Sequence, residues 1–381
     1  MQPFDFHPRT RFVFGPGKLE SLGDLAGEIG ARRALVVSDP GIIAAGHTER
    51  GVDALRRAGI DTHLFDGVNE NPTTDNVQQG EKLAQRYDPE IIIGLGGGSS
   101  MDCAKGINFV HSNGGQMKDY WGIGRALRPM LPLIAVPTTA GTGSEAQSFA
   151  LISDAETHVK MACGDKKASF RVAILDPELT VTQPPRVSAL TGIDAISHAV
   201  ESYVTLKRNV ASTTFSRESW RLLATNFIRV LHDAEDIEAR SGMQLGACYA
   251  GLAIENSMLG AAHALANPLT ATYGIAHGQA ICIMLPHVVR FNSVGVGDMY
   301  AELLAANGPQ PATKAEAGEV LAEFLTGLTR QAGLPTRLSD CGVHAERLEQ
   351  LVAAAAEQWT ARFNPRSVGK EELLQLYKAA F

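Results

Sequence analysis

The sequence predicts an α/β domain followed by an all-helical domain, and three observations support this fold class. Short β-branched runs alternate with helical patterns in the first half of the chain. Two adjacent prolines, Pro184 and Pro185, then interrupt the sequence. From Val187 onward the patterns are helical and rich in Ala and Leu. We therefore place an α/β domain at residues 1–183 and an all-helical domain at residues 184–381.

The strands of the first domain are short apolar runs bounded by charge or glycine. They are RALVVS at 33–38, EIIIGL at 90–95 and LPLIAVP at 131–137. Helical patterns lie between them, at Asp75–Tyr87 and Met101–His111. This alternation is typical of a largely parallel sheet with helices on both faces.

Composition excludes several classes of protein. The net charge of −7 offers no electrostatic footprint for nucleic acid. Five scattered cysteines without a CxxC pair indicate reduced thiols and a cytoplasmic location, and the N-terminus MQPFDFHPRTRF lacks the apolar core of a signal peptide. No charged residue lies between Glu255 and Arg290, but histidines, prolines and glycines break this stretch, so we expect a buried helical core and no membrane span.

A glycine-rich turn follows the predicted strand at 90–95. Gly96, Gly97 and Gly98 carry no Cβ atoms, so a ligand can approach the backbone closely. The N–H groups and the dipole at the start of the next helix favour an anion. A pyrophosphate is the expected occupant, because a plain connection capped by Ser99 or Ser100 would need fewer glycines.

A second loop, PTTAGTGSE at 137–145, follows the strand at 131–137. Its small hydroxyl side chains can donate to phosphate or ribose oxygens. Both loops follow predicted parallel strands, and open α/β sheets bind ligands at that edge. Asp39, after the strand at 33–38, is a turn residue on its own, but beside a dinucleotide it would accept from the ribose hydroxyls and favour NAD over NADP.

A candidate metal site combines the helical patterns of the second domain. A helix is predicted to begin at Thr191 with a capping-box-like pattern, which puts Asp194 and His198 on one face. That pair alone would favour a packed core histidine. The uncharged stretch, however, adds His263 and His277, and buried imidazoles need partners. Three imidazoles and one carboxylate form a complete ligand set for Fe²⁺ or Zn²⁺.

Five motifs together resemble those of the iron-containing (group III) alcohol dehydrogenase family. They are GGGSSMD at 96–102, PTTAGTGSE at 137–145, DP at 176–177, TGxDAxxHAxE at 191–201 and HAxA…HG at 263–278. The resemblance covers roughly residues 10 to 290, in the family's order and spacing. It implies a dehydroquinate-synthase-like fold, NAD(P)-dependent interconversion of alcohols and aldehydes, and a homodimer or larger homo-oligomer.

The resemblance also assigns roles to individual residues. The implied metal ligands are Asp194, His198, His263 and His277. Gly97, Gly98 and Ser99 would contact the pyrophosphate, and Asp39 would select NAD. The remaining candidate cofactor residues are Asn71 (otherwise a turn residue), Gly96, Asp102, Thr138, Thr139, Thr142 and Lys160.

Asn267 departs from the family pattern, which usually has a histidine at this position. Asparagine does not titrate, so we expect no proton relay through it and retain Asn267 as a candidate substrate contact. Ala276 and Gln147 also depart from the pattern, but no departure removes a metal ligand or a phosphate-turn glycine.

The sequence therefore predicts a metal-dependent, NAD-linked alcohol dehydrogenase that acts on a small primary alcohol or its aldehyde. One alternative on the same fold is a keto-acid reductase of the maleylacetate type, whose relatives resemble metal-free enzymes. Another is an NAD-retaining sugar-phosphate cyclase, which needs basic residues that the 255–290 region lacks between its ends. A non-catalytic nucleotide-binding or filament-forming protein would bind NAD without turnover.

Overall fold

The computed structural model describes residues 3–381, so residues 1 and 2 of the N-terminal segment lie outside the described residues. The chain divides into two compact units. One unit comprises residues 7–183, and the other comprises residues 184–381 together with the described residues before His7.

The first unit contains all the described strands. In chain order they are β1 (Arg11–Phe14), β2 (Arg33–Val37), β3 (Asp61–Phe65), β4 (Ile91–Gly96), β5 (Gly122–Ile123), β6 (Leu133–Pro137), β7 (Phe149–Ser153), β8 (Lys160–Gly164) and β9 (Val172–Leu175). Its helices are α1 (Leu22–Glu28), α2 (Pro40–Ala44), α3 (His47–Arg57), α4 (Thr74–Tyr87) and α5 (Gly98–Asn113).

Six of these strands form one parallel sheet in the order β1-β9-β6-β4-β2-β3. Alternate side chains of a strand point to opposite faces, and both faces here are covered. Val36 of β2 packs with Leu55 of α3 in one apolar core, whereas Leu35 packs with Met101 of α5 in another. The predicted parallel sheet with helices on both faces is confirmed.

A second, three-stranded sheet with the order β5-β8-β7 belongs to the same unit. The β7–β8 pair is antiparallel, with Phe149 opposite Gly164 and Ser153 opposite Lys160. The sequence analysis predicts no strand here. The runs are short and only partly buried, so their apolar pattern is weak.

The second unit is helical throughout the described residues from 184 onward, as predicted. Its helices are α6 (Pro185–Val204), α7 (Val210–His232), α8 (Ile237–Glu255), α9 (Ala261–Tyr273), α10 (His277–Ala306), α11 (Ala317–Gln331), α12 (Leu348–Ala356) and α13 (Lys370–Ala379). Within the described chain, α10 alone is long and apolar enough to cross a membrane. However, 61% of its apolar window is buried inside the protein and Pro286 lies within it, so α10 is a core helix.

Candidate cofactor and metal sites

The predicted cofactor residues follow strands that are neighbours in the sheet. The chain runs from β2 outward to β3 and then returns to β4 on the other side of β2. The helices α3 and α5 consequently pack on opposite faces of the sheet. Ligands of open α/β sheets bind at this kind of switch point, beyond the carboxyl ends of the strands. Asp39 follows β2 and the glycine turn follows β4, so both border the switch point.

The glycine turn opens α5 directly. Gly96 ends β4, Gly97 is the N-cap residue and Gly98 is the first helical residue. The N-cap residue Gly97 has no side chain to cap this helix, and the first N–H groups of α5 can therefore bind an anion. The helix begins three residues before the predicted start at Met101, because the first turn is built of small residues without an apolar period.

The second loop packs against the glycine turn. A Cβ atom on Gly98 would lie 2.6 Å from Thr142 Cγ2, so only glycine fits without a shift. Thr139 Cγ2 would lie 3.4 Å from a Cβ on Gly97. The hydroxyl of Thr138 is buried and has no hydrogen-bond partner among the described residues. The structure thus brings Thr138, Thr139 and Thr142 to the turn, and Thr138 retains an unused polar atom for a ligand.

Asp39 was interpreted from the sequence either as a turn residue or as a residue beside the cofactor, and its contacts agree with both positions. Its Oδ1 accepts from the backbone N–H groups of Gly41 and Ile42 at 3.0 and 3.2 Å, which caps α2. Its Oδ2 accepts from Ser100 Oγ at 3.1 Å, in the first turn of α5. The carboxylate is therefore a helix cap and also lies beside the glycine turn.

Asn71, Ser99 and Lys160 are joined by hydrogen bonds although they are far apart in sequence. The backbone N–H of Asn71 donates to Ser99 Oγ at 3.2 Å, and Lys160 Nζ donates to Asn71 Oδ1 at 3.3 Å. Asn71 has a positive φ of 53°, a conformation that asparagine tolerates well. These three predicted residues therefore lie together beside the first turn of α5.

Asp102 is turned away from the start of α5 toward the second loop. Its Oδ1 accepts from Ser144 Oγ at 2.6 Å, and its Oδ2 accepts from the N–H of Leu151 at 3.2 Å. Burial raises the pKa of Asp102, and the neighbouring Lys105 opposes this shift. Both oxygens of Asp102 are thus engaged inside the protein, and they hold Ser144 of the second loop and Leu151 against α5.

Lys105 is a residue of this region that the sequence analysis missed. It is fully buried, and its Nζ donates to Ser144 O, Ser144 Oγ and Phe149 O, each at 2.8 Å. A buried lysine is costly unless it is fully paired. The only sequence signal was a lysine three residues after Asp102 on the same helix. Lys105 fastens α5 to the second loop.

The four predicted metal ligands converge in the helical unit. Asp194 Oδ1 lies 3.5 Å from His198 Nε2, 3.7 Å from His263 Nε2 and 3.6 Å from His277 Nε2. The ligand atoms of Asp194, His263 and His277 all lie within 4.8 Å of one another. Helices α6, α9 and α10 supply these side chains, so three separate segments of the sequence meet at one carboxylate oxygen.

The donor set fits a divalent cation. Asp194 Oδ1 and His263 Nε2 are buried and have no hydrogen-bond partner among the described residues. Buried polar atoms without partners are rare, and a bound cation would satisfy both. Burial would raise the pKa of the Asp194 carboxyl, but His198 and the other two imidazoles hold this pKa below its usual range. The carboxylate is therefore ready to ligate a metal.

His277 reaches this cluster because α10 begins very close to α6. A Cβ atom on Gly278 would lie 2.2 Å from the backbone oxygen of Leu190, so the contact requires glycine. His277 is the first residue of α10 and is the most exposed of the three histidines, with 25% of its side chain accessible. Gly278 thus allows α10 to begin close to α6, and this places the adjacent His277 at the cluster.

The predicted helix start at Thr191 is wrong. Helix α6 begins at Pro185, and Thr191 lies in its interior, where its hydroxyl donates to Val187 O at 2.9 Å. Proline fits the first helical turn because its missing N–H would have no partner there. Asp194 and His198 remain one turn apart on the same face, so the capping pattern was misleading whereas the ligand spacing holds.

Two further residues lie close to the candidate metal ligands: Glu201, which was given no role from the sequence, and Asn267, the candidate substrate contact. Glu201 lies one further turn along α6, and its Oε2 lies 2.5 Å from His263 Nδ1. Asn267 lies one turn after His263 on α9, and its Nδ2 donates to Gln358 Oε1 at 2.9 Å. The i, i+4, i+7 spacing of Asp194, His198 and Glu201 was the available signal for Glu201.

The chain thus combines two units. One is a parallel α/β unit with a glycine turn suited to phosphate, and the other is a helical unit with a carboxylate-imidazole cluster suited to a metal. This combination is that of a metal-binding enzyme. The family profile described as "Iron-containing alcohol dehydrogenase" matches residues 8–177, and "Fe-containing alcohol dehydrogenase family, C-terminal" matches residues 188–381. The chain belongs to the iron-containing alcohol dehydrogenase family and is an oxidoreductase of CH–OH groups.

Individual relatives are similar over their whole lengths. The NAD-dependent methanol dehydrogenase of Bacillus methanolicus is 33% identical over 371 residues, which cover 97% of each chain. The 1,3-propanediol dehydrogenase of Klebsiella pneumoniae is 32% identical over 382 residues, which cover 99% of each chain. Among solved structures, a 1,3-propanediol oxidoreductase matches with a TM-score of 0.97 at 32% identity, covering 100% of both chains.

Proposed function

We propose that this protein is a metal-dependent, NAD-linked dehydrogenase that interconverts a small primary alcohol and its aldehyde. The observation that carries the proposal is the approach of three imidazole Nε2 atoms to one carboxylate oxygen, Asp194 Oδ1, at 3.5–3.7 Å. A set of three imidazoles and one carboxylate suits a single divalent cation. The names of the similar dehydrogenases support the alcohol substrate class.

The residues proposed to hold Fe²⁺ or Zn²⁺ are Asp194, His198, His263 and His277. When bound, the cation supplies a Lewis acid that lowers the pKa of a substrate hydroxyl. The protein contributes the carboxylate of Asp194 and three imidazoles, and Asp194, His198 and His263 are buried. Asn267 does not titrate and is held by Gln358, so its proposed role is a hydrogen bond to substrate and not proton transfer.

The cofactor is proposed to bind at the switch point of the parallel sheet. Gly97, Gly98 and Ser99 would offer backbone N–H groups to the pyrophosphate, helped by the dipole of α5. The threonines of the second loop, with Asn71 and Lys160, would lie along the cofactor. When bound, NAD⁺ supplies the acceptor for a hydride from the carbinol carbon. Asp39 would repel a 2′-phosphate, which makes NADP the less favoured cofactor.

Several broader features belong to the same proposal. Residues 1–183 would bind the cofactor, and residues 184–381 would bind the metal and substrate. We expect a cytoplasmic homodimer or larger homo-oligomer without membrane or nucleic-acid partners. The acidic net charge and five free cysteines, four of them buried, support this setting.

Steady-state assays of metal-reconstituted protein test the proposal. The panel would contain short primary alcohols with NAD⁺, the matching aldehydes with NADH, and keto acids with NADH. We expect sustained NADH formation from at least one alcohol, lost after chelation and restored by Fe²⁺ or Zn²⁺. Turnover of keto acids alone, or activity that survives complete metal removal, would contradict the assignment.

A further inference from the structure

We infer that Glu201 is a positioning residue that fixes the orientation and the proton of His263, so that the Nε2 atom of this imidazole is presented to the metal. The inference rests on the proposed function, because it concerns the same metal site. It concerns a carboxylate outside the ligand set, and it rests on contacts within the helical unit alone.

Glu201 continues the face of α6 that carries two of the proposed ligands. Asp194, His198 and Glu201 follow one another at intervals of four and three residues, so they lie on one stripe of the helix. Glu201 is only 4% exposed. A carboxylate buried to this extent is costly unless both its oxygens have partners.

Both oxygens of Glu201 are in fact used, and both contacts are with the first turn of α9. Oε2 lies 2.5 Å from His263 Nδ1, and Oε1 accepts from the backbone N–H of Ala262 at 2.7 Å. A carboxylate oxygen only accepts, so the proton of this short contact resides on Nδ1 of the imidazole. Nε2, which lies 3.7 Å from Asp194 Oδ1, is then the ring nitrogen left to ligate a metal.

The same turn of α9 is held from a second side. Asn364 Oδ1 accepts from the N–H of Ala261 at 3.3 Å and from Asn292 Nδ2 at 3.0 Å. The first two helical N–H groups of α9 are therefore bound by side chains of other segments. Asn364 therefore continues to hold the N–H of Ala261 when Glu201 is changed, whereas the N–H of Ala262 is held by Glu201 itself.

Glu201→Gln separates the orienting role from simple packing because it keeps the shape and removes one acceptor. If the amide oxygen faces His263, the amide NH₂ meets the N–H of Ala262, and two donors oppose each other. If the NH₂ faces His263, Nδ1 must accept, and the imidazole proton moves to Nε2, where it blocks ligation. Either arrangement weakens metal binding.

The test measures the Zn²⁺ dissociation constant of the full chain by competition with a chromogenic chelator. Thermal unfolding of the metal-free protein is recorded in parallel. We expect Glu201→Gln to weaken Zn²⁺ binding by about 10- to 100-fold, the usual effect of losing a carboxylate behind a ligating histidine. Glu201→Asp keeps two acceptors and is expected to recover part of the loss.

Tyr377→Phe is the matched control. The Tyr377 hydroxyl donates to Leu265 O on α9 at 2.7 Å and is buried, so its loss weakens the packing of the same helix without touching His263. We expect this variant to lower the unfolding temperature while leaving the Zn²⁺ dissociation constant within about twofold of wild type. His263→Ala serves as the reference for a lost ligand.

The outcomes distinguish the role of Glu201 from the existence of the metal site. Wild-type Zn²⁺ affinity in Glu201→Gln, with affinity lost in His263→Ala, would overturn the role of Glu201 and leave the metal site intact. Wild-type affinity in His263→Ala would overturn the metal site itself. If Glu201→Gln fails to fold, Glu201→Asp decides, because its retracted carboxylate must also weaken binding and an unchanged constant would overturn the inference.

Discussion

Ser100 Oγ donates a hydrogen bond to Asp39 Oδ2 at 3.1 Å, which links the carboxylate after β2 to the first turn of the helix after β4. The bond spans the switch point of the parallel sheet, because α2 and α5 follow adjacent strands. Asp39 Oδ1 meanwhile caps α2. Both oxygens of the carboxylate that is proposed to bind the ribose hydroxyls thus already accept hydrogen bonds from the protein.

The first prediction concerns the charge on this residue. Asp39→Asn keeps the cap through Oδ1 and can still donate to Ser100 Oγ, so mainly the charge is lost. The ratio of kcat/KM with NAD to that with NADP is expected to fall by about tenfold or more, since each 1.4 kcal/mol of relieved repulsion is a factor of ten. Initial rates with both cofactors measure it.

Ser100→Ala is the control for Asp39→Asn, because it removes the hydrogen bond but leaves the charge of Asp39. It should retain the preference for NAD. An unchanged cofactor ratio in Asp39→Asn would show that the carboxylate does not discriminate against a 2′-phosphate.

The second prediction concerns the packing of the two cofactor loops. In Gly98→Ala the new methyl group would meet Thr142 Cγ2 at 2.6 Å. Overpacking of this kind costs about 1–3 kcal/mol of unfolding free energy. Thr142→Ala removes Cγ2 and Oγ1 and leaves only Thr142 Cβ, 3.1 Å from the new methyl group, so in that background Gly98→Ala should cost less. Urea unfolding of the two single variants and the double variant measures the coupling.

An equal loss from Gly98→Ala in both backgrounds would contradict the packing argument. It would mean that the substitution acts through the backbone of the turn and not through contact with Thr142.

The third prediction is a dependence of stability on pH. Burial raises the pKa of the Glu145 carboxyl from 4.5 to about 7 in the second loop, and Lys105 opposes the shift only in part. The folded state therefore binds this proton more tightly than the unfolded state. The resulting stability is complete below pH 4.5 and is lost as the pH rises through 7.

Glu145→Gln should remove this dependence. Between pH 5 and pH 8 the wild type is expected to lose about 2–3 kcal/mol more unfolding free energy than the variant, given 1.36 kcal/mol for each pKa unit. Urea titrations at the two pH values measure the difference. Glu349→Gln, at an exposed position, is the control and should follow the wild type. Parallel curves for wild type and Glu145→Gln would refute the prediction.

The fold class and most of the residues that cluster in the two sites could be predicted from the sequence. Apolar runs fully buried on both faces, such as β4, give a clear strand signal, and the loops after them could be placed at one edge of the sheet. His263 and His277 stood out because they lie in a stretch without charged residues, where a buried imidazole needs a partner. These signals are local in sequence or depend on composition.

The rest depended on contacts between distant segments. The Lys105 ammonium group donates hydrogen bonds to Ser144 and Phe149, which lie some forty residues away in the sequence. The residues next to Lys105 in the sequence do not indicate that this cation is buried. Glu201 is recognisable as a partner of His263 only once α6 and α9 are side by side. The start of α6 was misplaced because Thr191 and Asp194 imitate a capping box within a helix that begins at Pro185.

The most direct test of the central claim is the metal content of wild type, His263→Ala and His277→Ala. Each protein would be loaded anaerobically with Fe²⁺, dialysed, and analysed for metal per chain alongside alcohol-dependent NADH formation. We expect about one equivalent and turnover in the wild type, and loss of both in each variant. One retained equivalent of metal with undiminished turnover in either histidine variant would contradict the account.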